Sequence, residues 1–434
     1  MIGFVATLAA FLYCFVWLRP PELGGVALPL QRVLGWTALA LLLGRLLIKG
    51  PLLAGAAAWA FLRWVAAFGG FLVLMLVRQL AYGENFFPLY FIMDLSKYAA
   101  AFAMAYLCYY ALSARLVSER RIVSGIVVSG VLATLLVYVF LALYYAGFRT
   151  ETQLIAPSFG GALGVWPTGG VLPRLAGPTA EPQQLSVALL TPLLLMVSPR
   201  YVRRYWLVAL LATCVLLLSQ SKFAIVSLAV TGLYLVVAYP RARLPLGLAG
   251  LVLLPVLGAV LLRLPTLQAT LQSGLSAGAI VERLGNLALL IGIIRERPWF
   301  GIGAGHYGVY RGQMLYGDWR YSPGYTPNMD FLKVFAETGV FGFILLLFFL
   351  GFLVRVFLRG YRRMPAELQP TYLAFFLGAL TILLNMTIGY ELLHAFFWIN
   401  VGVLLYFIDW SARDPQEWPL DRGTIRGAAP AGRA

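Results

Sequence analysis

An all-α membrane protein that crosses the bilayer about 12 times is the fold this sequence predicts, and three observations predict it. First, 61% of the 434 residues are hydrophobic and 12% charged, with a mean hydropathy of +0.84, whereas a soluble domain of this length needs more polar surface. Second, apolar runs of 15 to 27 residues recur from Met1 to Ile408, about the length a helix needs to cross roughly 30 Å of hydrocarbon. Third, basic residues gather in short stretches between those runs. The polar and apolar alternation of a membrane barrel is absent, so residues 1–434 read as one membrane domain.

The runs place spans near 2–18, 27–48, 52–77, 86–112, 122–147, 183–198, 205–219, 223–239, 246–262, 328–354, 371–388 and 391–408. The first has no basic leader and no small-residue cleavage site, so it reads as a span and not as a removed signal. With the N-terminus inside, the inner loops hold Lys49, Arg115, Arg120, Arg121, Arg200, Arg203, Arg204, Arg241, Arg243, Arg355, Arg359, Arg362 and Arg363. The tail 409–434 adds Arg413, Arg422, Arg426 and Arg433, making 17 of the 33 Lys and Arg. That bias predicts an even span number with both termini cytoplasmic. It also accounts for the net charge of +16 without nucleic acid. Cys14, Cys108 and Cys214 all lie inside apolar runs, read as small buried hydrophobes, and have no disulfide or metal-ligand spacing.

Two external segments stand apart, 148–182, rich in Gly and Pro, and the long loop 263–326. Long loops are where function concentrates. The second carries Arg263, Arg283, Arg295, Arg297, Arg311 and Arg320 against Glu282, Glu296 and Asp318, on the side where few basic residues are expected. Within it, Ile280, Leu284, Leu287, Leu290, Ile291 and Ile294 have helical spacing and predict a helix lying at the membrane surface. Pro298, Gly301, Gly303, Gly305 and Gly308 then break the chain into turns. The run 301–308 is no nucleotide loop, since it lacks the Gly-Lys-Ser/Thr ending and follows no strand.

Arginine suits phosphate or diphosphate, because its planar guanidinium donates paired hydrogen bonds and keeps its charge. A basic loop beside a bilayer therefore suggests a lipid-phosphate head group, although such arginines also serve anionic lipid or neighbouring acids. Among ionisable groups inside the spans, Arg45, Arg63, Asp94, Lys97, Lys222, Asp330, Lys333, Glu337 and Glu391 must face protein, a cavity or an interface. Asp94 and Lys97 share a helix face and read as a structural pair. Asp330, Lys333 and Glu337 form a second stripe, either lining a cavity or neutralising itself. The two histidines, His306 in the glycine-rich loop and His394 by the last span, are candidate general bases or hydrogen-bonded structural groups.

Four stretches resemble one family. Arg174-Leu-Ala-Gly-Pro-Thr-Ala-Glu-Pro182 precedes a span; Ser219-Gln-Ser-Lys-Phe-Ala224 sits at a span junction; Arg283-Leu-Gly-Asn-Leu-Ala-Leu leads to Arg297-Pro-Trp-Phe-Gly-Ile-Gly-Ala-Gly305; and Pro327-Asn-Met-Asp-Phe-Leu-Lys-Val-Phe-Ala-Glu-Thr-Gly-Val-Phe-Gly342 opens the next span. In order and placement these resemble the superfamily of bacterial O-antigen polymerases and O-antigen ligases, and the spacing of Arg297 and Gly308 also fits a polymerase pattern. The departures are Lys222 where arginine is usual, Leu287 and Leu290 where Trp and Ala are usual, and Pro327 where ligases carry a histidine proposed as base.

The resemblance implies about 12 helices in the bacterial inner membrane and one large periplasmic loop with short helices. It implies a metal-independent glycosyltransferase, without cofactor, acting in lipopolysaccharide biosynthesis. The donor would be an undecaprenyl-diphosphate-linked glycan and the acceptor a sugar hydroxyl on another lipid-linked repeat. Arg283, Arg297 and Lys222 would hold the diphosphate, and Arg174 and Arg311 phosphate or sugar. Asn328 and Asp330 would contact substrate, and Glu181 or His306 would activate the acceptor. Pro327 favours a polymerase over a ligase that transfers glycan to lipid A-core. A lipid-linked glycan transporter and a structural scaffold are the readings from other classes; no internal repeat supports the former. A chain-length regulator as partner stays open.

Overall fold

The structure is a computed structural model that describes residues 1–15, 30–50, 54–82, 87–147, 165–166, 173–179, 181–242, 277–318, 320, 325–327, 329–387, 389 and 392–412. Its described residues form α1 (Ile2–Phe11), α2 (Leu30–Lys49), α3 (Ala56–Tyr82), α4 (Pro88–Ser113), α5 (Glu119–Tyr145), α6 (Pro182–Met196), α7 (Val202–Leu218), α8 (Lys222–Ala238), α9 (Ala277–Glu296), α10 (Tyr307–Tyr316), α11 (Asp330–Arg363), α12 (Gln369–Asn385) and α13 (Ala395–Ser411). By length and composition, α2, α3, α4, α5 and α11 can cross a membrane, while α1, α6, α8, α12 and α13 are shorter and apolar. The chain is thus a helical membrane protein. The predicted span 246–262 lies outside the described residues, the first run is helical only to Phe11, and the last helix continues past Ile408 to Ser411.

Burial separates two kinds of helix that hydropathy does not distinguish. The residues of α6 and α13 are buried almost throughout, as expected of helices that are apolar all round and surrounded by others. On α3 and α11 one face is packed and the other stays bare: Leu74 is 69% and Phe348 73% exposed. Large apolar side chains in rows facing outward suit lipid and not water. α4 packs between α2 and α13, and α6 packs among α5, α7, α8 and α12.

Polar links fix the helices against one another. Tyr13 donates from its hydroxyl to Asn400 Oδ1 at 3.0 Å, and Asn400 Nδ2 donates to Thr191 Oγ1 at 3.0 Å, joining α13 to α6. Ser118 and Ser221 cap α5 and α8, and Pro88 and Pro182 open α4 and α6, where a missing N–H costs nothing. α3 takes its cap from a distant residue. Asp409 accepts from Ala57 N at 2.8 Å and Ala58 N at 3.3 Å. Asp409→Ala orphans both donors, and we expect a loss of about 1–2 kcal/mol, read as a lowered thermal midpoint in detergent, with Asp409→Asn retaining most of the stability. An unchanged midpoint in the alanine variant would contradict this role.

The bundle has two ends. At one, Arg200 reaches Glu119 at 3.7 Å, Tyr239 donates to Val197 O, Tyr234 donates to Pro370 O, and α11 ends in Arg362 and Arg363. This is the basic end. At the other, Ser186 and Ser219 exchange a hydrogen bond, Gln183 donates to Asn385, and Phe87 N donates to His306. This loop end gathers α9, α10 and the two-stranded pairing of Val165–Trp166 with Arg174–Leu175.

Candidate functional site

The loop end is organised by a break in α11. Gly339 sits inside this helix at φ 68° and ψ −171°, a conformation essentially confined to glycine. In an unbroken helix the carbonyls of Ala336 and Glu337 would accept from residues four positions on. Here they accept from Ile302 N at 3.1 Å and Gly303 N at 2.9 Å, and Val340 N donates instead to Pro298 O at 2.8 Å. The glycine-rich loop therefore satisfies the backbone groups that the break releases, as buried peptide groups must be. Such close approach leaves no room for side chains. A Cβ at Gly301 (φ 63°) would meet the backbone of Ala336 and Glu337, and one at Gly339 that of Trp299 and Phe300.

Beneath the loop lies a buried chain of alternating charges. Lys97 Nζ donates to Asp94 Oδ1 at 2.7 Å, and Lys333 Nζ lies 3.7 Å from both Asp94 Oδ2 and Glu337 Oε2. Asp94, Lys333 and Glu337 are all buried. Arg32 is also within electrostatic reach of Asp94. Glu337 Oε1 accepts from Tyr307 N at 3.0 Å, at the first residue of α10. The second stripe read from the sequence is thus a largely self-neutralising network, and it includes the Asp94 and Lys97 pair. Asp330 plays another part. Its Oδ2 accepts from Leu392 N at 2.8 Å while its own N–H donates to Gly389 O at 3.0 Å, tying α11 to the connection between α12 and α13.

His306 accepts through Nε2 from Phe87 N at 3.0 Å, so its Nδ1 carries the proton and donates to Ala304 O at 2.9 Å. Burial lowers its pKa, against the pull of the Ala304 bond and of Asp94, and the ring is neutral with both nitrogens bonded to backbone. His394 pairs with Gln184 at 3.2 Å.

Four of the remaining predicted residues fall into two groups. Arg174, Glu181 and Arg283 interact: burial, aided by repulsion from Arg283 and opposed by Glu181, lowers the pKa of Arg174. Arg174 is half-buried and its Nε has no hydrogen-bond acceptor among the described residues, while Arg283 on α9 is exposed. The paired strand brings Arg174 to the start of α6, where Glu181 is the residue before Pro182. Arg311 is the centre of the second group. Its guanidinium carbon stands 4.0 Å over the Tyr325 ring, and Asn286 joins the hydroxyls of Tyr325 and Tyr307 at 2.8 and 3.2 Å. Arg297 is exposed at the end of α9, near Tyr310, and Lys222 is exposed at the start of α8. Asn328 and Glu391 lie outside the described residues.

Sequence reasoning missed Asn286, Tyr307 and Tyr325, which carry no charge, and the buried face of α9. Leu290 and Ile293 are buried against Ile302, Tyr307 and Ala336, whereas Leu284 and Ile291 are exposed. One face of the helix predicted to lie at the membrane surface packs on protein through Asn286, Leu290 and Ile293, while Val281, Leu284 and Ile291 leave another face exposed and apolar.

Residues 207–347 match the family model described as O-Antigen ligase. The match runs from within α7 through α8, α9 and α10 to the first half of α11, so it takes in the glycine-rich loop and the break that receives it, and leaves Arg174 and Glu181 upstream. No curated protein matches the chain.

Proposed function

We propose that this chain belongs to the O-antigen ligase and polymerase superfamily and is a polymerase, joining undecaprenyl-diphosphate-linked oligosaccharide repeats at the periplasmic face of the bacterial inner membrane. On this reading the chain spans the membrane about 12 times with both termini in the cytoplasm, the loop end faces the periplasm and the basic end the cytoplasm. The observation that carries the proposal is that Arg174 and Arg283 lie within electrostatic reach of each other and of Glu181, with Arg174 Nε lacking an acceptor among the described residues. Two guanidiniums held within mutual repulsion are stabilised by an anion between them.

A glycosyl transfer supplies that anion. As the bond to the sugar breaks, negative charge grows on the departing lipid diphosphate. Fixed cations aimed at it stabilise the transition state more than the ground state. Arg174 and Arg283 bind the diphosphate from one side, and Arg297 and Lys222 complete its neutralisation. Arg311, stacked on Tyr325, holds sugar or phosphate. Glu181 activates the acceptor hydroxyl, because both ring nitrogens of His306 are occupied. A sugar contact from Asn328 belongs to the same proposal, whereas Asp330 is buried and held by Leu392 N.

Arg283→Ala and Arg297→Ala should each leave the protein in the membrane and eliminate long-chain polymer. Immunoblotting for the protein and a gel of its lipopolysaccharide read the two effects, and a normal ladder from both variants would refute the assignment. The second reading is a ligase. The family match does not choose between the two, whereas Pro327, in the place of the ligase histidine, favours a polymerase. A deletion strain that keeps one repeat on its lipid A-core has lost a polymerase, and one with bare core has lost a ligase. Transfer of labelled glycan by purified protein without an ion gradient excludes a transporter.

A further inference from the structure

We propose that Glu337 is a positioning residue whose carboxylate, projecting from α11, caps α10 and so fixes the loop arginines Arg297 and Arg311 where the diphosphate and sugar are held. The inference rests on the function proposed above for those arginines, and the clamp itself rests on geometry alone.

α10 begins at Tyr307, and the residue before it, His306, makes no side-chain cap. The first N–H groups of a helix need acceptors. Glu337 Oε1 supplies one to Tyr307 N at 3.0 Å, and the same carboxylate accepts from the N–H of Gly305. Negative charge at a helix N-terminus is favourable in addition. The main chain of Glu337 holds the same loop a second time, since its carbonyl accepts from Gly303 N. One residue thus grips the loop through both its backbone and its side chain. The loop is bounded by the two arginines: Arg297 immediately precedes Pro298, whose carbonyl accepts from Val340 N, and Arg311 lies one turn into α10.

Lys333 keeps the grip. Placed 3.7 Å from Glu337 and 3.7 Å from Asp94, it lets a carboxylate stay in a dry site and fixes its rotamer against α4. Glu337 is 1% exposed and enclosed by these partners, so it reaches substrate only through the loop. This excludes it as the base that touches the acceptor.

Two substitutions separate positioning from charge. Glu337→Gln keeps the length of the side chain and an oxygen acceptor but loses the charge. Glu337→Asp keeps the charge and withdraws the oxygens by one methylene. Full-length protein in lipid vesicles is examined by amide hydrogen exchange over 303–310 and by steady-state transfer from an undecaprenyl-diphosphate-linked donor. Glu337→Asp should speed exchange of the loop amides about tenfold and lower kcat about a hundredfold, with exchange of α4 amides 105–112 unchanged. Glu337→Gln should stay close to wild type in both. The reverse order, or activity lost in both variants with loop exchange unaltered, overturns the proposal. If exchange follows the expected pattern while wild-type protein transfers no glycan, the clamp is supported and the function proposed for the arginines is refuted.

Discussion

Gly339→Ala is expected to be among the most damaging single-methyl changes at the described residues. The ε-region backbone at Gly339 costs a residue with a Cβ roughly 1–3 kcal/mol, and that Cβ has no space. It would overlap the carbonyl of Trp299 and the amide of Phe300. Relief requires the loop to leave α11, which would orphan Ala336 O, Glu337 O and Val340 N together. Thermal unfolding of purified protein should show a large fall in midpoint, and glycan transfer should disappear. Gly351→Ala, on the same helix with nothing among the described residues within 4 Å of its new methyl, is the matched control and should be neutral or mildly stabilising. Equal midpoints for the two variants would show that the break is not required.

Lys333→Met has the second largest expected effect. It removes the cation between Asp94 and Glu337, both nearly inaccessible, and leaving buried charge uncompensated costs about 3–5 kcal/mol. Asp94 retains Lys97 at 2.7 Å, so the burden falls on Glu337. The double variant Lys333→Met, Glu337→Gln should therefore recover part of the loss. Membrane-inserted protein and thermal midpoint measure both. A double variant as unstable as the sum of its parts would mean that the two side chains do not act on each other.

Much of the helical frame could be read before the structure, and particular residues show where that stops. Hydropathy located the runs that became α2, α3, α4, α5 and α11, because the length and composition that suit a bilayer are properties of contiguous sequence. It could not tell α6 and α13, enclosed by other helices, from α3 and α11, which present bare Leu74 and Phe348. All four are apolar, and only packing decides which face meets lipid. In the site, the pairing of Asp94 with Lys97 was legible from a three-residue spacing. That of Asp94 with Lys333 was not, since it joins helices far apart in the chain. The glycines at 301–308 announced a turn, but nothing nearby in sequence said that the turn would fill a broken helix. Asp330 was read as a substrate contact, and His306 as a general base or a hydrogen-bonded structural group. Both bond to main-chain N–H groups, of Leu392 and Phe87, and a backbone donor leaves no signature in residue identity.

The interlock of 298–303 with 336–340 also sets an order for biogenesis. Pro298 to Gly303 are synthesised before Val340, so the earlier segment waits without its partners until the later helix has been made. Nascent chains arrested short of Val340 would carry every arginine of the loop and still lack a seat for it.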